Sequence, residues 1–403
     1  MLTNTSETCL APTKTDYIVA FLFLCVSGNP LFLYGTEWSA IILLGVMLFV
    51  CIAHHSKLFS KELLIWLGGL ITLFSLQYIT LPRVSVAANV SFISKIYLAF
   101  LVIAFLGEKF RYTYLRLMYW LSIVSLCFFV IQILIGPIGF SFGRYKTLFI
   151  FNTIPSGSGL GRNSGMFWEP GAFQGFLILV PLLYFNNFKF LWNSYRKECV
   201  VLIITLLTTQ STTGYIALTV ILAHVLTMSN VHILTKYFLI CFIGIGIVLM
   251  FTQLSFLGDK ITDEDAATIA LKEGELSWSR MGSFYLDYQN ILRHPFIGNG
   301  FLMEMRYGAL GKHLNGISNG FTGAINMYGI VTVLFYYICI YRKLKNYNRI
   351  QRVLFLATII ILLNGEYHMS YPLFWGLVFI DYSLQYDGEY ETENSCFINS
   401  AQS

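Results

Sequence analysis

The sequence predicts an all-α, polytopic integral membrane protein built as a single transmembrane domain over residues 1–403. Composition predicts it first: 56% of residues are apolar, 12% are charged and the mean hydropathy is +0.65, whereas a soluble domain carries roughly 25% charged residues. The apolar residues are gathered into runs long enough for membrane helices, and the basic residues fall in the short connections between them.

Twelve candidate spans follow in order, at 16–34, 38–53, 63–81, 91–107, 113–136, 167–188, 199–210, 212–228, 236–256, 321–341, 353–364 and 371–386. The runs 199–210 and 353–364 fall short of the ~20 residues of an upright span, so their polar neighbours must enter the membrane inside the bundle. If the spans alternate, Lys57, Lys61, Lys109, Arg111, Arg116, Lys189, Arg196, Lys197, Lys236, Arg342, Lys343, Lys345, Arg349 and Arg352 share one side. The positive-inside rule makes that side cytoplasmic and both termini internal. The opposite face receives a long loop at 137–166, a larger one at 257–320 and a short turn at 82–89.

The net charge of +5 is scattered over short loops, which excludes a basic face for nucleic acid. Six of the eight cysteines lie in or beside apolar runs and Cys9 and Cys396 in the tails, so neither a disulfide framework nor zinc spacing follows, and no metal or cofactor is expected. With Glu7 and Asp16 ahead of the first run and no small-residue cleavage site after it, the N-terminus does not read as a removable signal peptide.

The stretch 161–175, GRNSGMFWEPGAFQG, sets Arg162, Trp168 and Glu169 at a membrane rim. Pro170 suits the first turn of a helix starting near Glu169. A purely structural reading has Glu169 complementing the helix dipole, Trp168 anchoring at the interface and Arg162 meeting headgroups; charges so placed are equally candidates for chemistry. In the larger outer loop, Thr262 followed by Asp263, Glu264 and Asp265 predicts a capped helix to about residue 274. A second helix is predicted after Ser277, because Trp278, Met281, Tyr285, Tyr288 and Leu292 recur at spacings of three and four; it stops at Pro295 and lies against the membrane or the bundle. Arg280 opens it, and His294 reads as a side chain complementing its C-terminal end.

Arg280, the helix after it and the turn His294-Pro295-Phe296-Ile297-Gly298-Asn299-Gly300 resemble the outer loop of the O-antigen polymerase and ligase superfamily. That loop begins with an arginine and ends in hP-x-x-G-x-G. Thr209-Gln210-Ser211-Thr212-Thr213-Gly214 resembles the family's serine-glycine break between short helices, and 162–171 its arginine-to-Glu-Pro segment. The resemblance implies a GT-C-type membrane glycosyltransferase, a Wzy-type polymerase joining oligosaccharide repeat units carried on undecaprenyl diphosphate at the periplasmic face of a bacterial inner membrane. Its implied partners are that lipid-linked oligosaccharide, membrane lipids, a chain-length regulator and a flippase. Where ligases show His-Asn this chain has Ser318-Asn319, with His313 five residues earlier, and Thr212 replaces an arginine of the ligase break. Both departures favour a polymerase over an O-antigen ligase. A lipid-linked oligosaccharide transporter would also show broken helices and an arginine-lined cavity, but no repeat between the halves supports it.

Outside the cytoplasm the donor arrives already activated, its lipid diphosphate serving as leaving group. The site must then supply cations, acceptor positioning and, if needed, a base. Arg162 and Arg280 are the first candidates for the diphosphate, since guanidinium pairs with phosphate oxygens in a partly dry site; Arg144, Arg83 and Arg306 are further cations with headgroup contact as the alternative. Glu169, His313 and Glu304 compete as base. Trp168, Ser211, Ser318, Asn319, Glu366 and His368 are the expected substrate contacts, with Asn364, Tyr367 and Tyr371 beside the last two and Lys95 within the fourth span; tyrosine anchoring is the alternative there.

Overall fold

The computed structural model describes residues 11–33, 38–142, 145–152, 161–228, 234, 280–308 and 319–382. Helices are numbered below in chain order among these residues. The run 236–256, the helix predicted over 262–274, and Arg144, His313 and Ser318 lie outside them.

Before the first long loop come α1 (Lys14–Gly28), a short α2 (Pro30–Leu33), α3 (Trp38–Ala53), α4 (Lys61–Thr80), α5 (Val86–Leu106) and α6 (Lys109–Ile135). Local chemistry sets their starts. Thr13 and Asp16 form a reciprocal capping box at α1, Ser60 caps α4, and Ser85 caps α5 through Ala88 N. The Ser85 cap starts α5 five residues before the apolar run at 91, which shortens the connection expected at 82–89.

Within this mostly helical fold the first long loop carries a small sheet. Strands β1 (Phe140–Phe142), β2 (Tyr145–Leu148) and β3 (Phe151–Asn152) form an antiparallel meander in which Phe140 faces Thr147 and Thr147 faces Asn152. The reason is local: Gly139 holds φ 109 against the carbonyl of Thr147, an approach that only a residue without Cβ tolerates.

After that loop come α7 (Pro170–Leu183), α8 (Phe188–Ser194), α9 (Arg196–Thr208), α10 (Thr212–Met228), α11 (Arg280–Ile291), α12 (Met303–Tyr307), α13 (Gly320–Lys343), α14 (Arg349–Gly365) and α15 (Pro372–Gly376). Residues 170–180 of α7 are buried on every side, which makes it the axis of the bundle. The chain then bends by 63° into the segment carrying α8. Among the described residues four helices, α4, α5, α6 and α13, are long and apolar enough to cross a membrane, and the bent pair makes a fifth if it is one span. The outer surfaces of α4 and α6 agree: Ile79 and Leu134 are 79% and 75% exposed, a lipid-facing surface that water would penalise.

The last apolar run differs from a full span. Among its described residues, 371–382, only Pro372–Gly376 is α-helical, yet residues 372–380 are buried throughout. Irregular backbone is tolerated there because protein satisfies it. Tyr336 donates to Phe374 O (2.9 Å), Trp375 Nε1 to Met369 O (2.7 Å), Ser27 Oγ accepts from Leu373 N (3.1 Å), and Arg111 donates to Asp381 O.

Candidate active site

Three helix starts converge on one helix end. A methyl at Gly171, in the first turn of α7, would collide with the carboxylate of Glu366, the residue that caps the end of α14. A methyl at Gly320, the first residue of α13, would collide with the carbonyls of Leu363 and Glu366, and Gly365 abuts Thr213 in the first turn of α10. The N-terminal ends of α7, α10 and α13 therefore surround the C-terminal end of α14, with that of α7 against the buried Glu366 carboxylate and that of α13 against the last carbonyls of α14. The opposite rim carries the basic ends of these and neighbouring helices: Lys109, Arg111 and Arg116 open α6, Arg196 and Lys197 open α9, Arg342 and Lys343 close α13, and Arg349 and Arg352 open α14.

Arg162 reaches this convergence from the loop before α7. Its Nε donates to Thr209 O and its Nη2 to Gln210 O, each at 3.2 Å, so the guanidinium spans the break between α9 and α10. Those carbonyls are what a helix end leaves over, and an arginine there complements the dipole. Gln210 holds φ 49, a left-handed conformation uncommon for a side-chain-bearing residue. Ser211 is buried in the same break. Asn163 fixes the loop, donating through Nδ2 to Thr208 Oγ1 (3.0 Å) and Ser125 Oγ (3.3 Å), while Asn29 Nδ2 holds Met166 O and Ile150 O at 2.8 Å. The loop is thus tied to α6, to the α9–α10 break and to the chain after α1.

Glu169 occupies the cap position of α7 with extended backbone (φ −160) but makes no side-chain capping bond, and it is half-buried. At the N-terminal end of α7 the carboxylate complements the helix dipole by position, without a capping hydrogen bond. Trp168 beside it is 8% exposed, its ring 4.6 Å from that of Tyr371 and 5.9 Å from His368.

His368 follows Glu366 in a single turn over His368–Ser370. Its ring lies against Gly175 and stacks on Phe374 at 4.2 Å. Gly171 and Gly175, four apart on α7, form a smooth groove into which the Glu366-Tyr367-His368 turn docks, the close approach that small residues permit between membrane helices. Expected as a sugar contact, His368 is instead fully enclosed, and neither ring nitrogen has a hydrogen-bond partner. Burial lowers its pKa to about 3, so the imidazole stays neutral.

Arg306 has a different occupation from the substrate or headgroup contact expected of it. It is 3% exposed and lies 3.7 Å from the carboxylate of Asp287, itself 0% exposed. Arg306 also donates to Tyr307 OH at 2.9 Å. Asp287 accepts from Tyr307 OH, from Thr322 Oγ1 at 2.7 Å and from Asn326 Nδ2 at 2.8 Å. This network clamps α11 to α13. Burial raises the Tyr307 pKa, the Arg306 charge opposes that shift and the Asp287 charge adds to it, so the phenol stays a donor. The face of α11 turned inward is therefore Asp287 and Asn290, while Tyr285, Tyr288 and Leu292 of the predicted stripe point away from the bundle at 36%, 58% and 65% exposure, as befits a helix at a lipid interface.

The turn after α11 locks a break in α13. Gly329 takes φ 77 inside the helix, and a Cβ there would collide with Phe296 O. The hydrogen bonds α13 forfeits at this point are replaced by the turn: Asn299 N donates to Asn326 O (2.6 Å), Gly300 N to Met327 O (3.2 Å) and Ile330 N to Pro295 O (2.9 Å). Gln77 of α4 completes the junction, its Nε2 donating to Ile297 O (2.6 Å) and Met327 O (2.9 Å). The Pro-x-x-Gly-x-Gly signature is thus a backbone joint.

Among the predicted residues, Arg162, Trp168, Glu169, Ser211, Glu366 and His368 lie on the segments that meet at the convergence. Asn319 stands there as the cap of α13, its Oδ1 accepting from Thr322 N at 3.1 Å. Arg280 is the first residue of α11. Arg83 and Glu304 pair at 3.8 Å on the surface, 74% and 41% exposed. Lys95 is half-buried in α5 and Asn364 exposed at the end of α14. Sequence reasoning missed Asp287, Asn299, Asn326 and the two glycines of the α7 groove; the G-x-x-x-G spacing of Gly171 and Gly175 was the one signal available. The chain matches no protein-family model and no curated protein.

Proposed function

We propose that this membrane protein is a glycosyltransferase that polymerises oligosaccharide repeat units carried on undecaprenyl diphosphate, an O-antigen polymerase of about twelve spans and GT-C type, acting on the periplasmic side of a bacterial inner membrane. The observation that supports this reading best is the convergence of three helix N-termini with Arg162, Glu169 and Glu366 at the rim opposite the basic residues.

In this reading the donor diphosphate lies against Arg162 and the amide ends of those helices, with Arg280 as a second cation. The acceptor hydroxyl attacks the anomeric carbon, forming the new glycosidic C–O bond as the C–O bond to the diphosphate breaks. The electron pair of the broken bond leaves with undecaprenyl diphosphate. The hydroxyl proton passes to Glu169, or to His313 if that residue is the base. Trp168 and Tyr371 offer ring faces to the sugars, and Glu366 hydrogen-bonds a sugar hydroxyl or the helix amides around it. A diphosphate leaving group needs no nucleotide and no obligatory metal.

The test is polymer formation by purified protein from lipid-linked repeat units, with chelator present and no nucleotide. The parent should make chains, and Glu169→Gln should slow them about 10²-fold or more, the usual worth of a general base. A parent protein that leaves the lipid-linked units unjoined overturns the reading. A Glu169→Gln protein at parental rate removes Glu169 from the mechanism.

A further inference from the structure

A cavity of about 600 Å³ lies between α7, α8, α9 and α10, running from Leu177 and Leu206 to Lys189 and Met228. Pro181, Trp192, Leu202 and Val225 are among its apolar lining, and Lys189 and Asn193 are its polar residues. Its size falls within the ~300–1,000 Å³ typical of small-ligand sites. The 63° bend after α7 creates it, by swinging α8 away from the line of α7 at the end of the bundle where the basic residues gather.

The charge at its mouth is one-sided. Lys189, Arg196 and Lys197 are exposed on α8 and the start of α9. The nearby carboxylate, Glu198, is already held by Arg116 at 2.6 Å and is 8% exposed, so it does not offset them. Arg196 lies over the Trp192 ring at 5.6 Å, an amphipathic pair suited to the headgroup level. An apolar cavity opening at a cationic, aromatic rim fits a molecule with one phosphate and a hydrocarbon chain.

We propose that this cavity is a structural lipid site for an anionic glycerophospholipid of the leaflet at the basic rim, one acyl chain filling the space between α7 and α10 and the phosphate resting on Lys189. Its two ends suit a phospholipid better than the polyprenyl donor: the phosphate contact is at the rim opposite Arg162, so a donor seated here would hold its diphosphate away from the proposed chemistry. The occupant also explains how the bent α7–α8 pair avoids leaving an apolar void, whose lining would lose packing contacts.

The experiment is native mass spectrometry of the full chain released from nanodiscs of phosphatidylcholine containing a minority of phosphatidylglycerol. The parent should retain one phosphatidylglycerol in preference to phosphatidylcholine. Lys189→Gln should weaken that retention about fivefold, the worth of one basic side chain beside an anionic headgroup. Val225→Trp, which fills the cavity, should abolish it. If Val225→Trp does not accumulate, Lys189→Gln alone decides, since an exposed lysine is free to change without unfolding. Equal retention of phosphatidylcholine, unchanged retention in Lys189→Gln, or displacement of the bound lipid by equimolar undecaprenyl phosphate would each overturn the proposal.

Discussion

Arg306→Ala should destabilise this protein more than any change at the surface arginines. The guanidinium and the Asp287 carboxylate are 3% and 0% exposed and 3.7 Å apart. Removing one partner of a buried pair costs roughly 3–5 kcal/mol, because the other charge is left uncompensated. Here the lower end applies: Asp287 keeps its bonds from Tyr307, Thr322 and Asn326, and Arg306 Nε has no acceptor to lose. We expect about 3 kcal/mol, measured as reversible unfolding in mixed micelles followed by tryptophan fluorescence. Asp287→Leu should cost a similar amount, and the Asp287→Leu, Arg306→Met double variant about 2 kcal/mol less than the sum of the singles, since coupled groups are not additive. A surface arginine pair such as Arg83 with Glu304 should contribute about 1 kcal/mol or less. If Arg306→Ala changed stability by under about 1 kcal/mol while abolishing polymer formation, the clamp would be refuted and Arg306 would belong to the substrate.

Gly175→Val should fail to accumulate in the membrane because its side chain would overlap the His368 ring, whereas Gly175→Ala with His368→Ala should recover much of the parental level on blots of isolated membranes. His368 predicts the pH response. Its folded pKa of about 3 lies below the unfolded value, so the stability it permits is complete above pH ~6.5 and falls as pH drops, by about 2 kcal/mol at pH 5. Thermal unfolding should show that loss between pH 6.5 and 5 in the parent and a smaller one in His368→Phe; identical profiles would disprove it. Arg280→Ala should lower polymer formation 10²–10³-fold at matched abundance, with Arg280→Lys recovering part of it because the forked geometry is lost; near-parental rates in Arg280→Ala would leave Arg280 as a tether.

Helix positions were legible where burial and capping act locally. Ser60, Ser85 and the Thr13–Asp16 box start helices for reasons contained in a few residues, and the basic ends marked one rim. The helix opened by Arg280 was expected from the spacing of Tyr285, Tyr288 and Leu292, but that stripe also suggested which face was apolar without saying what it touched. The bundle claimed the opposite face, because Asp287 finds four hydrogen-bonding or charged partners drawn from α12 and α13, none visible in a linear pattern. The same limit explains Arg306, whose loop position gave no hint of enclosure. The close approach at Gly171 and Gly175 went unread because the Glu366-Tyr367-His368 turn that makes it lies almost two hundred residues later. The meander at 140–152 went unread because strands of two to four residues carry too short an alternation to register.

The joint at Gly329 sets an order of events during synthesis. Gln77 holds carbonyls that lie 220 and 250 residues further along the chain, so α4 must wait in the bilayer with a polar amide unmatched until both arrive. The turn 295–300 emerges before the helix it braces, and α13 would leave the ribosome with Asn326 and Met327 free to continue an unbroken helix. Its straight form is then the early species and the broken form the late one, reached when the waiting turn docks. Arrested chains long enough past residue 343 for α13 to have left the ribosome, but lacking Gln77, should therefore keep a straight α13, and cross-linking between cysteines placed at 297 and 327 would report when the break forms.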